Sequence, residues 1–213
     1  MSKSPPRDRA RFFVLDGVDG CGKSTLAARL CGELERAGRA QPLHLREPGS
    51  TKAGEAIRAV ALGKQYELAP AVEALLMAAA RRQMLDELVA PALAAGRDVV
   101  CERFHPSTWA YQGVAGAVGE KRVVELLKRW ANEPAPDLVL ILDAPVEVAL
   151  ARRGGAERDR IEAKGRAFHE RVAAAYRRFA EEKPFGGRVA AIDASLPTER
   201  VAAQVWEAVR GIL

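Results

Sequence analysis

The chain has 213 residues, enough for one sizeable domain that buries roughly 70% of its unfolded surface, and too few for two of ordinary size. With 48% apolar and 29% charged residues the composition is that of an ordinary soluble protein, and the absence of an apolar stretch long enough to span a bilayer excludes a helical membrane protein. The net charge of +5 and pI near 9.3 favour phosphate-bearing partners, nucleic acid or nucleotide, and charge alone does not choose between them.

The opening "MSKSPPRDRAR" is charged and Pro-rich, with no cleavable apolar segment behind it. Residues 1–10 therefore read as a short loose tail, not a signal. The apolar runs "RFFVLD", "PLHLRE", "RDVVCER", "PDLVLILD" and "RVAAID" then follow in order, separated by helical patterns. Strands alternating with helices predict an α/β domain over residues 11–213, in which a five-stranded parallel sheet is covered on both faces. The longest helical pattern runs from about Pro70 to Ala95, and Pro91 is placed to kink or divide it. After the fourth run comes "RRGGAERDR", which suits either a solvated connection or a mobile lid over phosphates at about residues 152–162. No linker, repeat or low-complexity block divides the chain. Cys21, Cys31 and Cys101 form neither an even disulfide set nor a metal-ligand pattern, and read as reduced thiols of a cytoplasmic protein.

One motif is specific. "GVDGCGKS", Gly17 to Ser24, fits G-x-x-x-x-G-K-[ST] and stands between a predicted strand and a predicted helix, the context that gives this pattern meaning as a phosphate cradle. Glycines let backbone N–H groups converge on phosphates, the helix N-terminus adds partial positive charge, and Lys23 adds a full one. Ser24 is placed to ligate Mg²⁺. Lys23 is expected to face solvent in the empty cradle. Two further strand ends carry charges, Arg46 and Glu47 in "LREPGST" and Glu102 and Arg103 in "CERF", at the sheet edge where open α/β folds bind ligands. Each could be a simple strand-end charge; two guanidiniums beside one phosphate loop suggest a shared cleft.

From residue 11 onward the chain resembles the bacterial thymidylate kinases, through "GVDGCGKST", "REPG", "ERFHPSTWAYQG", "PDLVLILDAPVEVAL" and "DRIE" in that family's order and approximate spacing. The resemblance implies a three-layer P-loop kinase fold with a short lid. It implies an enzyme that moves the γ-phosphoryl group of Mg²⁺-ATP to dTMP, giving dTDP and ADP for dTTP synthesis, as a cytoplasmic homodimer with no nucleic-acid or membrane partner. By the same resemblance Gly17, Val18, Asp19, Gly20, Cys21, Gly22, Lys23, Ser24 and Thr25 hold ATP phosphates, and Arg152 stacks on adenine. Asp19 also serves the sugar side of the monophosphate, although it equally suits a turn. Arg46 and Arg103 hold the acceptor phosphate, Arg81 and Thr108, with Ser107, meet the base, and Tyr111 packs beside the deoxyribose. Packing or capping is the alternative role for Ser107, Thr108 and Tyr111. Met77, one turn from Arg81 and on its face, stands where the family commonly has Phe, so its contact with a base is a softer thioether one. Glu102 occupies a position usually filled by Asp, near Mg²⁺. Some relatives carry a loop arginine at position 20, here Gly20, so Arg153 or Arg158 of the lid is expected to supply the transition-state cation.

Such a reaction needs no general base, because a phosphate monoester with a second pKa near ~6 is already mostly a dianion at neutral pH. It needs two polyanions held in line among cations. His44, His105 and His169 are accordingly expected to be surface or packing residues. A kinase for another nucleoside monophosphate is the rival enzyme reading, and a P-loop module that binds ATP without transferring phosphate is a second, disfavoured by the presence of Arg46, Arg81 and Arg103.

Overall fold

Five short apolar runs form five strands, β1 (Phe12–Gly17), β2 (Leu43–Arg46), β3 (Val99–Glu102), β4 (Leu138–Asp143) and β5 (Val189–Asp193). A computed structural model describes residues 9–153, 159–161 and 163–213, with the side chain of Arg153 excepted. All pairings are parallel and the order is β2-β3-β1-β4-β5. Every residue of β1 is buried, and β4 is buried up to its last residue. Covering helices on both faces account for such continuous apolar runs, where a half-exposed sheet would show alternation.

The helices among the described residues are α1 (Lys23–Arg36), α2 (Lys52–Leu62), α3 (Pro70–Met84), α4 (Ala90–Ala94), α5 (His105–Thr108), α6 (Glu120–Trp130), α7 (Val146–Arg153), α8 (Arg166–Glu182) and α9 (Thr198–Arg210). The chain leaves the sheet centre in opposite directions, toward β2 through α1 and toward β5 through α8. Right-handed crossovers then put these helices on opposite faces. Phe12, Phe13, Leu15, Leu140 and Ile141 of the sheet are closed over by Leu30 and Leu34 of α1 and by Tyr176 and Phe179 of α8. No helix among the described residues is long and apolar enough to cross a membrane. The three cysteines are unbridged.

Pro91 neither ends nor splits the long helix. Between α3 and α4 the chain keeps a helical path through one π-helical turn, Leu85–Val89, in which Ala90 N–H donates to the Leu85 carbonyl five residues back. Pro91 lacks an N–H and its ring crowds the carbonyl one turn earlier. A widened turn immediately before it absorbs both defects. A second π-helical turn, Trp109–Val114, continues α5, closed by Ala115 N–H on the Ala110 carbonyl at 2.9 Å.

His105 is a packing residue, as expected. Its ring lies 4.0 Å from that of Phe104 and stacks 4.4 Å from Phe185, and Nε2 donates to the Ala131 carbonyl at 3.0 Å. Burial, with the Arg81 charge nearby, holds the imidazole well below its ordinary 6.5, against the pull of the Ala131 bond. The unfolded chain therefore binds this proton more readily than the folded one, so the His105 contribution is complete above about 6.5 and is lost as pH falls below it. In urea unfolding from pH 8 to 5, His105→Phe should lose stability less steeply below 6.5 than the wild type. Parallel curves would show that His105 takes up its proton without disturbing the fold.

Candidate active site

The central strand ends in the phosphate-type turn, and α1 starts at Lys23 behind a left-handed Gly22 (φ 96°). Gly20 also has positive φ (86°), and a Cβ there would collide with the Ala149 carbonyl of α7. The loop is thus pressed against α7, which is why position 20 accepts no side chain. Lys23 departs from expectation. It is buried, and its ammonium donates to the carbonyls of Gly17 (3.0 Å) and Val18 (2.8 Å). A buried ammonium needs acceptors, and the turn curls its own carbonyls round to supply them.

Asp16, fully buried at the end of β1, ties this turn to the segment after β3. Its Oδ1 accepts from Gly17 N–H and from the hydroxyls of Ser107 and Tyr176, each at 2.8 Å. Its Oδ2 accepts from Phe104 N–H (2.9 Å) and from Ser107 N–H (3.0 Å), which also reaches the Phe104 carbonyl at 3.1 Å, at the start of α5. The arrangement fixes Arg103, whose backbone adopts φ 68°. The Arg103 guanidinium bridges Ser107 Oγ (2.9 Å) and the carboxylate of Asp19. Burial opposes the Arg103 charge, but Asp19, with Tyr111, Tyr176 and Asp16, outweighs it and keeps the group a firm cation.

Beside the loop lies a cleft of about 110 Å³ lined by Asp19, Glu47, Met77, Arg81, Arg103, Ser107, Thr108 and Tyr111, together with Arg58, Gln112 and Asp159. Arg81 is 2% exposed and lies over the Phe104 ring at 4.7 Å. Its Nε sits 2.8 and 3.0 Å from the two Glu47 oxygens, and Nη2 donates to Thr108 Oγ1 at 3.0 Å. Its Nη1 is buried without a hydrogen-bond partner. Burial raises the Glu47 carboxyl to about 7 even with Arg81 beside it. Met77 is 8% exposed on the same wall. Tyr111 donates to Asp19 Oδ2 at 2.9 Å, and burial with the Asp19 charge pushes its phenol well above 10, so it stays a donor.

The far wall was not legible beforehand. Buried Glu73 of α3 accepts from Gln112 Nε2 and Arg160 Nη2, both at 2.6 Å, and Arg160 also donates to the Ala61 carbonyl at 2.7 Å. This cluster holds Asp159 and Ile161 against the cleft. The "DRIE" and "ERFHPSTWAYQG" matches contain Arg160 and Gln112 without assigning either a role; Glu73 of α3 and Arg58 of α2 gave no signal.

The two expected metal residues meet: Ser24 Oγ donates to Glu102 Oε2 at 2.5 Å, while Glu102 Oε1 lies 2.9 Å from His44 Nε2. Burial would raise the Glu102 carboxyl, but hydrogen bonds from His44 and Ser24, with the charges of His44 and Lys23, bring it below its ordinary value. Hard oxygen donors suit Mg²⁺, which is typically held by one or two protein groups plus phosphate oxygens. His44, read as a surface or packing residue, is partly exposed and pairs with Glu102. Arg46 is not brought into the cleft: its side chain is 60% exposed and its guanidinium lies 3.8 Å from Glu55. Arg152 spans the carbonyls of Ala194, Ser195 and Leu196 at 2.6–3.3 Å. Thr25 lies in the first turn of α1. The Arg153 side chain and Arg158 lie outside the described residues.

A parallel sheet with a phosphate-binding turn on its central strand and an arginine-walled cleft beside it defines a P-loop kinase of the nucleoside monophosphate class. Comparison with known proteins narrows the class. The family model "Thymidylate kinase" matches residues 15–205. Proteins named thymidylate kinase from Alkalilimnicola ehrlichii and Rhodopseudomonas palustris (strain TIE-1) are each 43% identical, over 94% and 95% of this chain and 92% and 89% of theirs. One from Thermomicrobium roseum is 41% identical over 95% of both chains. The chain belongs to the thymidylate kinase family.

Breaking the Glu47–Arg81 pair should expose how far the cleft depends on it. Above pH 7, where the Glu47 carboxyl is ionised, Glu47→Ala leaves a buried guanidinium without its counter-charge and should lower stability by about 3–5 kcal/mol in urea unfolding at pH 8.5, with Glu47→Gln in between. A loss under about 1 kcal/mol for Glu47→Ala would show that Arg81 is held by other means.

Proposed function

We propose that this kinase transfers the γ-phosphoryl group of ATP to dTMP, giving dTDP and ADP, and that the cleft walled by Arg81 and Arg103 is the dTMP site. The observation that carries the reading is Arg81 Nη1, a buried donor without a partner in a cleft wall. Such a group is costly unless a ligand acceptor meets it, and a carbonyl on a pyrimidine edge is such an acceptor. Thr108 and Ser107 complete the polar edge. Met77 covers the base with a polarizable thioether. Tyr111 and Asp19 lie toward the sugar.

Phosphate ends of both substrates meet at the loop. Gly17 to Thr25 bind the ATP phosphates through backbone N–H groups and the start of α1. Lys23 exchanges its loop carbonyls for phosphate oxygens, and Arg103 holds the acceptor phosphate from a position already fixed by Asp19. Arg46 joins it by swinging its exposed side chain inward, and Arg152 borders the adenine. Ser24 and Glu102 hold Mg²⁺, whose role when bound is to neutralise charge on the transferring phosphates. The acceptor dianion attacks without a base. A lid at about residues 152–162 excludes water as a competing acceptor, and Arg153 or Arg158 supplies the remaining cation. The family resemblance supports a homodimer. The free thiols support a cytoplasmic setting.

Steady-state kinetics with ATP and dTMP, dUMP, UMP, CMP or AMP test the reading. dTMP should give the highest kcat/KM. Polar selection by Arg81 and Thr108 should outweigh the base-stacking contact, since an aromatic pair adds only ~0.5–1.5 kcal/mol and the thioether recovers part of it. Met77→Phe should thus lower KM for dTMP by no more than roughly tenfold, the upper end of that range, and leave the order of acceptors unchanged. A preference for CMP, UMP or AMP would overturn the thymidylate assignment in favour of another nucleoside monophosphate.

A further inference from the structure

The Glu102 carboxylate occupies a position where a shorter aspartate is usual in the family this chain resembles. An extra methylene adds a torsion, and a carboxylate free to turn holds an ion poorly unless something restrains it. In the sheet Arg46 stands opposite Glu102, so His44, two residues earlier on β2, lies diagonally across from it on the same face. His44 Nε2 reaches Oε1 at 2.9 Å while Oε2 takes the Ser24 hydroxyl. A carboxylate only accepts, so Nε2 is the donor. The nearby cations are committed elsewhere: Lys23 to the carbonyls of Gly17 and Val18, Arg103 to Asp19, and Arg46 toward Glu55. Among the described residues His44 is the one side chain hydrogen-bonded to Oε1.

We propose that His44 is a positioning residue for the metal site: its Nε2–H pins one oxygen of Glu102 so that the other stays turned toward Ser24 and the bound cation. The proposal rests on the assignment of Ser24 and Glu102 to Mg²⁺. His44 touches neither metal nor substrate in this role and acts only through Glu102.

Mn²⁺, counted as free ion by electron paramagnetic resonance during titration of the protein–ADP complex, tests it on wild type, His44→Ala, His44→Gln, Glu102→Gln and the double variant His44→Ala/Glu102→Gln. Loss of a group that orients a metal ligand weakens metal binding by roughly 10–100-fold. His44→Ala should weaken Mn²⁺ by at least about tenfold, with metal-free ADP affinity unchanged. His44→Gln, whose amide N–H can reach the same oxygen, should recover most of that loss. The double variant should be no weaker than Glu102→Gln alone, since coupling through one group makes the effects non-additive. If Glu102→Gln weakens Mn²⁺ and His44→Ala does not, the positioning role is overturned while the metal assignment stands. If Glu102→Gln leaves Mn²⁺ binding unchanged, the metal assignment itself fails. Additive losses in the double variant, or no recovery in His44→Gln, would likewise refute action through Glu102.

Discussion

The site is organised around one buried carboxylate. Asp16 gathers donors from the phosphate loop, from the start of α5 and from α8, elements far apart in the chain. An ionised carboxylate in a protein interior is tolerable only when its lone pairs are met, and here Gly17, Phe104, Ser107 and Tyr176 meet them. The same bonds that satisfy Asp16 set the spacing between the loop and the segment carrying Arg103, Ser107 and Thr108. Phosphate loop and cleft are thereby tied to each other through one side chain.

The cations of the site follow a common rule. Arg103 is held by Asp19, Arg81 by Glu47, and Lys23 by carbonyls of its own loop. Arg103 and Arg81 are thus held by carboxylates, and Lys23 by neutral acceptors. Their anchors differ in kind. A carboxylate partner keeps an arginine in place whatever binds, whereas carbonyl partners can be exchanged for phosphate oxygens. The arginines are thus suited to orientation and the lysine to following charge.

Sequence reasoning reached the fold and the phosphate loop because both are local. Five apolar runs mark five strands, and G-x-x-x-x-G-K-S after a strand is a self-contained signal. Arg81, Thr108 and Tyr111 were legible through family resemblance, and the structure brings them to one cleft. What escaped was polar tertiary pairing, which has no period. Asp16 reads as the last residue of a strand, yet it bonds to Ser107 and Tyr176, 91 and 160 positions away. Glu73 reads as an ordinary polar residue of a helix, and the family motifs that contain Gln112 and Arg160 do not reveal that both converge on it. His44 reads as a surface histidine until the β2–β3 register sets it beside Glu102. Lys23 was expected in solvent because the motif says what it binds, not what it touches otherwise. Arg46 errs in the opposite sense, a strand-end cation whose side chain points outward to Glu55.

If Asp16 is the tie between loop and cleft, Asp16→Asn cannot be silent despite its matching shape. The amide must turn its NH₂ toward either the two N–H donors at Oδ2 or the three donors at Oδ1, and the negative charge is gone in both cases. Equilibrium urea unfolding of Asp16→Asn against the wild type is the most direct measurement. A loss of about 3 kcal/mol or more is predicted, the scale for breaking charge-assisted bonds in the interior; a loss below about 1 kcal/mol would contradict the account.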